Sequence, residues 1–302
     1  MTSRFLKPWR SIHYQVALLA KRGLLISNEK EVASFLRHLN YYRFSGYSLA
    51  FEESRRTFRQ GTTFEAIRQT YEFDRDLRDL LYESMEVIEL DVRSTVAHTF
   101  GRARGGFGHT KARNFFKKFD HHNWLKKLQD ETTRSREPFI ERYKNTYSDY
   151  PDLPIWMAAE IMSFGGLSRM ISGLRKEDLK AVAAPYGMQP RTFVSCLHHL
   201  VYVRNICAHH ARLWDREWQI KPDLPAGKAW TAPHLPGNDR LFATLLLQNK
   251  FMQACRAEKQ FHKNWRQEVE TLITTRCPSC PNAIQKMGLP TDWNKNPQWT
   301  NP

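Results

Sequence analysis

The chain has 302 residues, 46 Lys and Arg against 31 Asp and Glu, and a formal net charge of +15 at pH 7. That length buries a sizeable core as one large or two small domains, and that charge points to a polyanionic partner, nucleic acid first, because each phosphate contact releases counterions. Five cysteines, an odd number scattered along the chain, do not make a disulfide framework, and no apolar run is long enough to span a bilayer.

Arg4, Lys7 and Arg10 lead into a short amphipathic stretch and not into an apolar signal core, so a soluble, cytoplasmic protein with no membrane partner is expected. Residues 1–60 form an N-terminal helical region. Ser11 caps its first helix and Gly23 ends it. Asn28 with Glu31 makes a capping box for the second, which buries Val32, Phe35, Leu36 and Leu39. The run Tyr41-Tyr42-Arg43-Phe44-Ser45-Gly46-Tyr47 mixes aromatic rings with a cation. Such a mixture suits either a packed helix corner or the stacking of unpaired bases on a basic surface, with packing the commoner outcome.

Residues 61–218 read as the main helical domain. Thr62 and Glu65 open its longest helix, which runs to about Phe100 with Phe64, Ile67, Tyr71, Leu77, Leu81, Met85, Ile88, Val92 and Val96 at helical spacing. Glu83, Glu86, Glu89 and Asp91 sit among arginines, and no second acidic cluster matches them as a two-metal nuclease needs, so neither metal nor cofactor is expected. Gly101 to Gly108 reads as a flexible basic loop whose freed amides, with Arg102 and Arg104, suit phosphate, although it lacks the lysine of a Walker loop. Basic helices follow over 111–127 and 137–147. Lys111, Arg113, Lys117, Lys118, Lys126 and Lys127, with Arg43, Arg102 and Arg104, make up the expected RNA surface.

A turn at Pro151 and Pro154 precedes a helix that breaks at Gly165-Gly166, a short helix over 178–184, and another opened by Pro190 in its favoured first turn. Residues 219–302 read as a proline-rich linker over 221–239, one helix over 239–273 and an irregular tail. The tail holds a single Cys277-Pro-Ser-Cys280 pair, two of the four ligands a structural zinc site wants, with His262 as a conceivable third. No stretch shows β alternation, and the fold expected is all-α.

The segment Leu200 to Trp214 carries the chemistry. Arg204 and His209 stand five residues apart with Asn205 directly after the arginine. A guanidinium holds a phosphodiester through two parallel hydrogen bonds, and a histidine moves a proton at neutral pH. The same spacing recurs at Arg93/His98, within packed helix, and at Arg104/His109, across the glycine loop. Only the Arg204 instance has an amide beside the arginine and further histidines within helical reach. At about 100° per residue, Phe193, Leu197, Leu200, Val201, Cys207 and Ala208 share a core arc, and His198, Tyr202, Asn205 and His209 form a polar ridge. Arg204 projects roughly 140° from His209 in a regular helix. It therefore needs either a buried carboxylate partner, which favours a structural role, or a distortion that swings it toward the histidine, which favours a functional site.

Arg204-Asn205-Ile206-Cys207-Ala208-His209-His210, continuing through Arg212, Leu213 and Trp214, resembles the signature of Abi-like (abortive infection, AbiD/AbiF-type) bacterial defence proteins. So do Leu39 to Tyr47 and the pair Leu153 to Trp156 with Ser163 to Ser168, in the family's order over roughly residues 10 to 220. The resemblance implies a HEPN-like helical bundle with N-terminal helices and a C-terminal extension. Its Arg-Asn-x3-His motif resembles that of HEPN ribonucleases, including those of RNA-guided type VI CRISPR effectors, in which two motifs usually meet across a homodimer. The activity implied is metal-independent RNA cleavage, with Arg204, Asn205 and His209 catalytic and His198, Tyr202, His210 and Arg212 supporting. The partners implied are substrate RNA and a regulatory non-coding RNA that restrains a toxin. The competing expectation is a non-catalytic RNA-binding or sensor module that keeps the motif as structure.

Overall fold

A computed structural model describes residues 8–300; Arg4, Lys7 and Pro302 lie outside them. Helix α1 (Ile12–Lys21) begins where the Ser11 hydroxyl accepts the Tyr14 amide at 3.2 Å, and Gly23 at φ 95° ends it. Helix α2 (Glu29–Leu39) begins at Asn28, whose side chain accepts the Lys30 and Glu31 amides, while the Glu31 carboxylate turns to Arg68. Helix α3 (Tyr41–Ser48) follows, then an antiparallel hairpin of β1 (Glu52–Ser54) and β2 (Thr57–Phe58). Strands this short carry no alternating pattern, and the architecture is all-α.

Helix α4 (Phe64–Arg104) spans 41 residues, about 60 Å at 1.5 Å per residue. Its cap is Thr63, one residue later than expected, with the hydroxyl accepting from Ala66. The segment expected as a loop from Gly101 is helical to Arg104. Extending an existing helix is cheap where nucleating one is not, and the chain leaves it only at Gly105, φ 78°. The helix expected over 111–127 starts instead at His121: α5 (His121–Arg134) is capped by Asp120. Before it, Phe115 and Phe119 turn into the core, and a bridge between Phe115 and Leu174 pins the backbone out of helical form.

Helix α6 (Pro138–Thr146) and helix α7 (Ile155–Ile161) lead to α8 (Phe164–Gly173). The break lies at Met162-Ser163, where the Ser163 hydroxyl accepts the Gly166 amide at 3.2 Å, so the two glycines open α8 and do not end α7. Helices α9 (Lys176–Ala183) and α10 (Pro190–Ala208) complete this part.

Residues 221–239, expected as an extended linker, carry a 3-10 turn at Lys228–Trp230 and bury Trp230 and Leu235. The single helix expected over 239–273 is two, α11 (Leu241–Ala254) and α12 (Lys259–Arg276), parted where Cys255 leaves helical geometry. Their packing differs: α11 is buried on nearly every side, whereas α12 is amphipathic. The proline-rich end folds into α13 (Ala283–Lys286) and α14 (Pro297–Thr300), pinned by buried Trp293 and Trp299.

The core is organised on α4, against which α3, α7, α8, α9, α10, α11 and α12 pack. Leu77, Leu81, Ile88, Val92 and Val96 on α4 are wholly buried, each worth roughly 1.5–3 kcal/mol of transfer free energy. Polar groups tie α11 and α12 to the same rod. Gln248 donates to the Leu81 carbonyl and the Ser84 hydroxyl, and the Trp265 indole to the Leu80 carbonyl at 2.9 Å. Among the described residues no helix is long and apolar enough to cross a membrane.

Candidate active site

Pro190 starts α10, and Phe193, Cys196, Leu197, Leu200, Val203, Ile206 and Cys207 bury its inner face. His199 lies within that face, its two ring nitrogens bonded to the Ile220 carbonyl at 2.6 Å and the Thr244 hydroxyl at 2.9 Å, and burial pushes its pKa down to about 4. The ridge is exposed at His198, Asn205 and His209 and half-buried at Tyr202, whose ring stands edge-on to Trp218. Ala208, expected on the buried arc, is exposed.

Helix α10 runs undistorted to Ala208, and the His209 amide closes it on the Asn205 carbonyl at 3.0 Å. Arg204 leaves the helix on another side. Its guanidinium meets Glu89 of α4 at 3.5 Å and lies 5.6 Å from the centre of the Phe164 ring. Of the two arrangements open to it, the carboxylate partner is the one present. Glu89 is shared, since its other oxygen takes Arg93. The result is a surface cleft of about 320 Å³ in which Arg204 faces Glu86, Glu89 and Glu160. Arg204 is not saturated there: its buried Nε–H has no partner among the described residues.

The chain turns sharply after His209 because His210 adopts φ 52°, the left-handed region that side chains with a Cβ disfavour. Three anchors hold the turn. Arg43 donates to the His210 carbonyl, and Arg212 to the Gly46 carbonyl while pairing with Asp215 at 3.1 Å. Beneath them the fully buried Asp74 of α4 accepts the amides of Leu213 at 3.1 Å and Trp214 at 2.7 Å, the Tyr47 hydroxyl at 2.7 Å, and the Arg78 guanidinium. Burial pushes the Asp74 carboxyl up, and Arg78 and the other donors oppose that shift by stabilising its charge. The aromatic and basic run in α3 is thus largely a packed corner, with Phe44 and Tyr47 buried and Tyr42 left 86% exposed.

The expected RNA surface divides. Arg102, Lys111, Arg113, Lys117, Lys118, Lys126 and Lys127 are exposed. Arg104 is held by Asp178 at 3.0 Å and fixes α4 to α9, and the exposed Arg43 is tied to the His210 turn. Of the other two spacings, Arg93 is buried on the Ala159 carbonyl and Glu89, and His109 is buried with its pKa pushed down to about 4. His262 is likewise occupied, on the Asn249 side chain. Among the described residues no three His, Cys, Asp or Glu side chains gather as metal ligands. Asp74, and the pairing of Glu89 with Arg204, escaped the reading of the sequence. A signal for the first was present, because Asp74 and Arg78 stand i, i+4 on the apolar face between Phe73, Leu77 and Leu81.

An all-α bundle threaded by one long helix, with a histidine presented at the end of a second, defines a class of helical protein whose exposed polar ridge is its candidate site. The profile of the Abi-like protein family matches residues 34–215, and the chain belongs to that family. Membership points to abortive infection, a form of phage defence. No curated protein and no solved structure matches the chain. The matched stretch takes in the Asn40–Tyr47 run, Asp74, Glu89 and the His209 turn, and it stops before α11.

Proposed function

We propose that this protein is a metal-independent endoribonuclease of the HEPN type acting in phage defence, with His209 as general base. His209 takes the proton of a 2′-hydroxyl, the oxygen attacks the adjacent phosphorus, and the 5′-oxygen of the next nucleotide leaves with a proton, giving a 2′,3′-cyclic phosphate. Asn205, one turn before it on the same ridge, orients the imidazole or a phosphate oxygen. Arg204, which leaves α10 on another side from His209, stabilises the charge that builds on the phosphate by giving up its Glu89 contact and moving to the ridge. His198, Tyr202, His210 and Arg212 support the ridge and its turn.

The observation that carries this reading is the exposed His209 at a helix end braced from three directions. The 3.5 Å contact to Glu89 is a long one and leaves the Arg204 guanidinium loosely held. Exposed Tyr82 and Leu90 flank the Arg204 cleft and suit contact with a second copy of the chain there. The net charge of +15 suits an RNA substrate and a restraining non-coding RNA.

The Glu89 pairing also supports a second reading, a non-catalytic RNA-binding module in which Arg204 is structural. One experiment separates them. Wild-type and His209→Ala proteins are incubated with total cellular RNA in EDTA and the new 3′ ends are mapped. Cyclic-phosphate ends from the wild type alone are the expected result. Equal cleavage by both proteins removes His209 from the mechanism, and bound RNA cut by neither favours the module.

A further inference from the structure

A second site lies on the N-terminal helices. A groove of about 540 Å³ runs between α1, α3 and the β-hairpin, walled by Trp9, Tyr14 and Tyr41 and by Arg10, Arg22 and Arg56, with no carboxylate among the described residues that line it. Two of its three rings stand clear of the core, Trp9 86% and Tyr14 46% exposed, an unusual display for large rings, while Tyr41 is partly packed against it. Its cations are not spent on carboxylates. Among the described residues, none of Arg10, Arg22 and Arg56 belongs to an ion pair, whereas Arg68, Arg78, Arg93, Arg104 and Arg204 all do.

Local interactions hold the groove in shape. Arg10 stacks 4.7 Å above the Tyr14 ring, Arg22 donates to the Tyr41 hydroxyl at 2.7 Å, and Gln15 fastens the Arg10 carbonyl at 2.9 Å. Alternating aromatic faces and guanidinium groups suit a ligand that is itself an alternation of flat bases and phosphates. An acidic peptide would satisfy the arginines and leave the rings wet, and a duplex would offer phosphates with its bases already stacked.

We propose that this groove binds two or three unpaired nucleotides of single-stranded RNA, with bases on Trp9 and Tyr14 and phosphates on Arg10, Arg22 and Arg56. The proposal rests on RNA being the partner and is independent of catalysis at His209. Apart from Tyr41 and Arg56, its residues precede the family match, which begins at 34.

The test uses the full wild-type chain and a fluorescein-labelled oligouridine whose 2′-oxygens are methylated, so that no strand can be cut by 2′-hydroxyl attack, followed by anisotropy at two salt concentrations. A Trp9→Ala/Tyr14→Ala protein is expected to bind at least about 30-fold more weakly with an unchanged salt slope, since each of the two stacked bases contributes about 1–3 kcal/mol. Trp9→Phe stays within about threefold of the parent, because a π face remains. Replacing the three arginines with Gln lowers the salt slope by about 0.7 for each phosphate that is no longer neutralised. Unchanged binding by the double aromatic variant overturns the proposal. So does an equal loss of affinity for inorganic polyphosphate, which has no bases, or competition by oligoglutamate at the oligouridine concentration. Failure here leaves the cleavage assay untouched, and failure of His209 to act in cleavage leaves this binding measurement untouched.

Discussion

Two carboxylates set the behaviour of the site residues. Glu89 holds Arg204 and Arg93 together, so a phosphate reaches Arg204 only in competition with it. Arg204→Lys keeps the charge and loses the forked geometry; RNA cleavage is expected to fall about 100-fold, the order seen when one transition-state donor is removed, with the urea midpoint unchanged. Glu89→Gln removes the competing charge and is expected to tighten RNA binding measured by anisotropy. Weaker binding in that variant would make Glu89 an orienting group and no longer a competitor. The pairing could not be read in advance, because 115 residues separate the partners. Helical spacing did show that Arg204 must find a carboxylate or bend the helix, since a lone charge on a buried arc is unstable.

At the level of elements, the turn after α10 depends on α4 and α3 more than on its own sequence. Asp74 is the shared acceptor for the Leu213 and Trp214 amides, the Tyr47 hydroxyl and Arg78. Asp74→Ala strands a buried guanidinium and two amides, and about 3–5 kcal/mol of unfolding free energy is expected to go with it, measured by urea denaturation. Helix caps such as Ser11 and Asn28 were legible because each is a local bond between side chain and backbone. Helix ends governed by distant packing were not. The start of α5 is set by Phe115 pairing with Leu174, and the α11/α12 break by the different surroundings of the two helices.

For the whole molecule, the apolar content of α11 showed a helix but not that it is a central one. Its burial against α4 places the residues after Trp218 in the same core as the family motifs. Three buried histidines also give the protein a common pH response. His109, His199 and His262 each have a pKa pushed down to about 4 by burial, against an ordinary 6.5. The unfolded chain therefore binds protons that the folded chain refuses between those values. Stability present above about pH 6.5 is lost as pH falls toward 4, with a limiting slope of about 1.4 kcal/mol per pH unit for each histidine. Urea midpoints at pH 7 and pH 5 measure this, and His199→Gln is expected to flatten the dependence.

The left-handed backbone at His210 bears on how the site was selected. Glycine adopts that conformation without steric cost, whereas a residue with a Cβ gives up roughly 1–2 kcal/mol to it. His210→Gly should accordingly unfold no more readily than the parent by much over about 1 kcal/mol, the freedom glycine adds to the unfolded chain offsetting the relieved strain. If that variant cuts RNA more slowly at little-changed stability, it is the imidazole at the bend, and not the bend alone, that serves the reaction.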